Sequence, residues 1–108
     1  MSIFKACDIR GTYGKELTDQ ISYKIGRAVG TLLKEKHIIV GGDLRPSTQI
    51  LKPAVIKGLI HSGCDVIDIG IVPTPVFYFA IKQLSADGGV QVTGSHNPPP
   101  DNGMKIVL

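Results

Sequence analysis

The chain has 108 residues, 43% of them hydrophobic and 19% charged. That is enough apolar material for one domain with a core and too much for a disordered segment. A net charge of +3 from 12 basic and 9 acidic residues, with no clustering, excludes the basic patch of a nucleic-acid binder, and no apolar run approaches the ~18 residues of a membrane span.

The segment Met1–Gly11 lacks a basic stretch leading into an apolar one, so no secretory signal is predicted and a cytoplasmic protein is expected. Cys7 and Cys64 are too few for a disulfide framework and show no metal-ligand spacing; they read as reduced thiols, with a bridge between them as the alternative.

Apolar, β-branched runs at Ile3–Ile9, His37–Val40, Asp65–Val72, Gly89–Thr93 and Lys105–Leu108 predict strands. Between the first two lies a helix over Thr18–Lys36. Thr18 would cap it, and Ile21, Ile25, Ala28, Val29, Leu32 and Leu33 would line one face. A second helix, about Ser47–Ser62, puts Ile50, Leu51, Ala54, Val55 and Leu59 on one side, with Ser47 or Thr48 as cap and Gly63 as its left-handed stop. Pro53 inside it predicts a kink or a start nearer Lys52. A third opens at Thr74-Pro75, with Thr74 as cap, and runs to about Leu84 before Asp87-Gly88-Gly89 breaks it. The order β-α-β-α-β-α-β, a loop of about ten residues and a last strand predict an α/β domain. Its sheet would be mixed and mostly parallel, of four to five strands, with helices on its faces and right-handed crossovers.

In such sheets ligands bind beyond the carboxyl ends of the strands. The segments there carry Arg10, Arg45, Ser95, His96 and Lys105, which predicts a cationic cluster around one hydroxyl nucleophile, suited to a phosphorylated partner. Ser95 and His96 are adjacent, so in extended backbone their side chains diverge, and no Gly-x-Ser-x-Gly elbow is present; a hydrolase triad is disfavoured. A serine that carries a phosphoryl group needs cations, backbone amides and a divalent metal rather than a triad.

Cys7-Asp8-Ile9-Arg10-Gly11, Gly42-Asp43-Leu44-Arg45, Gly70-Ile71-Val72-Pro73-Thr74-Pro75 and Thr93-Gly94-Ser95-His96-Asn97-Pro98, followed by Asn102-Gly103-Met104-Lys105, occur in order. Together they resemble the N-terminal domain of the α-D-phosphohexomutases, nearest the bacterial phosphomannomutase/phosphoglucomutase type, over nearly the whole chain. Cys7 departs from the tyrosine usual there. The resemblance implies that residues 1–108 are the phosphoserine-bearing α/β domain of a longer enzyme. That enzyme would interconvert hexose 6-phosphate and hexose 1-phosphate through a bound 1,6-bisphosphate. It implies Ser95 as phosphoserine and ligand to Mg²⁺, the other metal ligands coming from a further domain; Lys105 in proton transfer; and Arg10, His96 and Asn97 at the phosphoryl group and sugar. The fragment alone would be inactive.

Blander readings stand beside these. Ser95 reads by itself as a turn serine, Arg10 as a surface partner of Asp8, Lys105 as an edge charge, and His96 as a residue bonding its own loop. Asp43 reads as bonding loop amides and Arg45 as bracing the adjacent site, structural roles rather than catalytic ones. Two rival functions are a non-catalytic sugar-phosphate-binding module and a phosphoglucosamine mutase, whose serine loop typically has Ala where Gly94 stands.

Overall fold

The computed structural model describes residues 6–94 and 97–108, with Ala6 and Cys7 described through their backbone. Five strands, β1 (Ala6–Thr12), β2 (His37–Gly42), β3 (Asp65–Ile71), β4 (Gly88–Val92) and β5 (Asp101–Val107), alternate with α1 (Asp19–Leu32), α2 (Thr48–His61) and α3 (Thr74–Gln83) in the expected order. They form one sheet in the order β1-β5-β4-β2-β3. The pairs β2–β3 and β2–β4 are parallel, while β5 runs antiparallel to both β4 and β1. Four strands therefore share one direction and only β5 is reversed, so the loop after β4 turns the chain back.

Alternation along the strands separates two cores. Ile38, Val40, Val90, Val92, Met104 and Ile106 face α1 and α2, where they meet Val29, Leu51, Val55 and Leu59. On the other face, Phe77 is fully buried, and a Cβ on Gly89 would lie 2.7 Å from its ring, so α3 can seat only because β4 offers bare backbone there.

Several boundaries differ from the expectations. β1 reaches Thr12 and β5 begins at Asp101, so Arg10 and Asn102-Gly103 lie inside paired strands rather than in loops. Their polar and glycine residues hide the apolar alternation by which a strand is recognised, but the ladder pairs Arg10 with Gly103 and Gly11 with Asn102. Thr18 caps α1 as expected, its Oγ1 accepting from the Ile21 amide at 3.2 Å. The buried stripe of α1, however, is Ser22, Gly26, Val29 and Gly30, while Ile21, Ala28 and Leu32 are exposed. Gly26 lies directly against the Val55 carbonyl and Gly58 of α2 against the Tyr23 carbonyl, so small residues let the two helix backbones meet.

α2 starts at Thr48 and runs through Pro53, not from Lys52; Pro53 lacks the N–H that the Gln49 carbonyl would accept. The Ser47 hydroxyl does not cap it, because it serves the site described below. Gly63, at φ +96°, stops this helix as predicted. In α3, Pro73 takes the cap position and Thr74 is already helical. Tyr78 and Phe79 of this helix are exposed. Cys64 is a free, buried thiol, and burial pushes its pKa up. No described helix is long and apolar enough to cross a membrane.

Candidate active site

The loop from Thr93 to Pro100 leaves the carboxyl end of β4 and is held by a polar cluster built on β2, α2 and β5. Asp43, just beyond β2, accepts at Oδ1 from the Arg45 amide (3.1 Å) and from Thr48 Oγ1 (2.6 Å), and at Oδ2 from the Gly94 amide (2.9 Å). Burial opposes its ionisation, but the bonds from Thr48, Gly94, Arg45 and Thr93 outweigh that and hold its carboxyl below the usual value. Asn102, fully buried, donates through Nδ2 to Ser47 Oγ (2.7 Å) and Thr48 Oγ1 (3.0 Å). A relay of donors thus runs from β5 through the start of α2 to Asp43.

Arg45 completes the cluster. Its guanidinium donates to the carbonyls of Pro98 (2.7 Å), Asp101 (2.9 Å) and Asn97 (2.7 Å), and its Nε lies 3.5 Å from Asp43 Oδ2. A side chain at Gly94 would overlap this guanidinium. Arg45 is therefore structural, as the sequence suggested, and what its guanidinium braces is this loop.

The other two cations meet on the sheet. Asp8 pairs with Lys105 and Arg10 with Gly103 across β1 and β5, so all three charged side chains share one face, with Lys105 also opposite Gln91 of β4. Lys105 Nζ lies 3.3 Å from Asp8 Oδ1. Arg10 donates to its neighbour's carbonyl, Ile9 O, at 2.9 Å, and its side chain lies across Gly103, where a Cβ could not fit. Asp8, read in the blander alternative as a partner of Arg10, is paired with Lys105, which the register sets directly opposite it.

Asn97 is half-buried, and its amide closes a turn onto the Gly94 carbonyl at 2.9 Å. Ser95 and His96 lie outside the described residues. Asn102 carries more of this cluster than sequence reasoning assigned to it; an Asn-Gly pair inside a ladder was the available signal. Among the described residues no group of three His, Cys, Asp or Glu could hold a metal ion. A groove of about 550 Å³ between α2 and β3 touches the cluster only at its Gly42-Asp43 and Thr48 end; Arg10, Asn97 and Lys105 take no part in it.

Comparison with known proteins decides what this arrangement belongs to. All of residues 1–108 match the family model for phosphoglucomutase/phosphomannomutase, alpha/beta/alpha domain I. The chain belongs to that family. As a phosphoglucomutase/phosphomannomutase domain I it is 51% identical to a phosphomannomutase of Escherichia coli (strain K12) over 107 residues, 99% of this chain and 24% of that protein. It is 48% identical to a Pyrococcus abyssi protein described as "Probable phosphoglucosamine mutase", over 95% of this chain and 23% of that one. Among solved structures, a phosphoglucomutase/phosphomannomutase family protein from Burkholderia thailandensis superposes with a TM-score of 0.87 at 43% identity, covering 96% of this chain and 25% of that one. The domain I chain thus spans about a quarter of the length of these relatives.

Proposed function

We propose that residues 1–108 are the phosphoserine-bearing domain of a cytoplasmic hexose-phosphate mutase acting on mannose or glucose phosphates. The observation that carries this reading is the register of β1, β5 and β4. It puts Arg10 and Lys105 on one face beside the carboxyl end of β4, where the chain enters the loop containing Ser95. Fixed cations next to a transferable phosphoryl group neutralise the charge it develops, which is most of what phosphoryl transfer asks of a protein.

In this mechanism a free hydroxyl of the hexose monophosphate attacks the phosphorus of phospho-Ser95. The bond from phosphorus to Ser95 Oγ breaks, giving the 1,6-bisphosphate; the hydroxyl loses a proton and Ser95 Oγ gains one, so the half-reaction balances. After the intermediate turns round, the other phosphate returns to Ser95. Lys105, oriented by Asp8, moves the proton at the sugar hydroxyl. Arg10 and His96 neutralise the phosphoryl oxygens, and Asn97 meets the substrate at the loop.

Mg²⁺ would supply further charge neutralisation, with phosphorylated Ser95 as this chain's ligand. The described carboxylates do not fit a metal centre, since Asp8 is paired with Lys105 and Asp43 is saturated by donors, so the remaining ligands would come from the rest of the parent enzyme. The likeness to the Pyrococcus abyssi protein is the one observation favouring glucosamine phosphate as an alternative sugar.

Intact mass of the complete protein tests the reading. A phosphate adduct is expected that disappears in Ser95→Ala together with mutase turnover. A protein without adduct whose Ser95→Ala variant turns over normally overturns it. Assays on mannose, glucose and glucosamine phosphates decide the sugar.

A further inference from the structure

Resting on that reading, we propose that Arg45 is a positioning residue for phosphoryl transfer: with Asp43, which anchors it and holds the near side, it fixes the loop backbone on both sides of Ser95. On the near side the Gly94 amide donates to Asp43 Oδ2 at 2.9 Å. On the far side the carbonyls of Asn97, Pro98 and Asp101 accept from one guanidinium.

The loop is short of its own donors, because Pro98, Pro99 and Pro100 have no N–H to give. The Asn97 and Asp101 amides close turns onto the Gly94 and Pro98 carbonyls, and a planar guanidinium supplies the further donors from one rigid plane. A lysine would supply the charge without that spread. The Arg45 side chain is only 18% exposed and that of Asp43 24%, so the pair acts from beneath the loop rather than on the substrate. Displacing reacting atoms by about 1 Å is enough to lower a rate by ~10²-fold, so the effect belongs in turnover and not in affinity.

The test uses the complete protein, with kcat and KM measured on the hexose phosphate and folding followed by thermal melting. Arg45→Gln is expected to lower kcat by about 30-fold or more while KM stays within about threefold. Arg45→Lys should recover part of that kcat, and Asp43→Asn should show the same split at a smaller fold-change. A kcat of folded Arg45→Gln within threefold of the parent overturns the proposal, as does a loss carried wholly by KM. If Arg45→Gln does not fold, Asp43→Asn decides by the same criterion. Ser95→Ala, run alongside, separates this inference from the reading beneath it. If Ser95→Ala alone is inactive, the positioning role falls and the phosphoserine stands; if Ser95→Ala turns over normally, both fall.

Discussion

Asp43 shows how one carboxylate can set the acid sensitivity of a loop. Its folded value lies below the ordinary one, so the unfolded chain takes up a proton first as pH falls. The resulting stabilisation is fully present above about pH 4 and is lost as pH drops through the folded value. Denaturation curves between pH 6 and pH 2 are expected to show wild-type stability falling more steeply than that of Asp43→Asn; parallel curves would refute this. Asp68, held below its usual value against burial by Lys52 and the Gly70 amide, contributes in the same direction to both proteins and cancels in the comparison. The bracing roles of Asp43 and Arg45 were legible in the sequence, because an aspartate beside a turn can bond loop amides and an arginine next to it can brace the adjacent site; that the braced carbonyls belong to Asn97, Pro98 and Asp101 was not. The partner of Asp8 was not, because which residue stands opposite it depends on a register set by pairing Ala6 with Val107 and Thr12 with Asp101.

At the level of elements, the junction of α1 and α2 depends on what is missing from it. Gly→Ala in an exposed helix gains about 1 kcal/mol. At Gly58 the added methyl would meet the Tyr23 carbonyl and lie 2.8 Å from the Arg27 amide, both backbone atoms that cannot turn aside. Overpacking of this kind costs about 1–3 kcal/mol, so Gly58→Ala is expected to be net destabilising in chemical denaturation, against the propensity trend. Equal or greater stability would show that the helices separate freely. Sequence reasoning found both helices and the caps at Thr18 and Gly63, but placed Ile21 and Leu32 in the α1 contact face. Hydrophobic spacing reports where apolar residues recur; it is silent about a stripe of Ser and Gly chosen for closeness.

For the whole molecule, Arg10 and Lys105 share a sheet face with Asp8, and the described residues offer no cluster for a divalent ion. The chain spans about a quarter of its relatives' length, and the surface displays Leu44, Ile71 and Phe79, at 79%, 58% and 64% exposure. The isolated 108-residue chain is accordingly expected to show no mutase activity above a Ser95→Ala control, as measured by coupled assay on glucose 1-phosphate; activity above that background would place the whole reaction within this domain.

The position of the reversed strand also has a bearing on biosynthesis. Because β5 sits between β1 and β4, β1 has no neighbour among the described strands until β5 follows it, some ~95 residues later at roughly 5–20 residues per second. For about 5–20 s its edge must either wait unpaired or be shielded by something else. A nascent chain halted before Asp101 should thus bring together β2, β3 and β4 while its opening segment stays open to proteases.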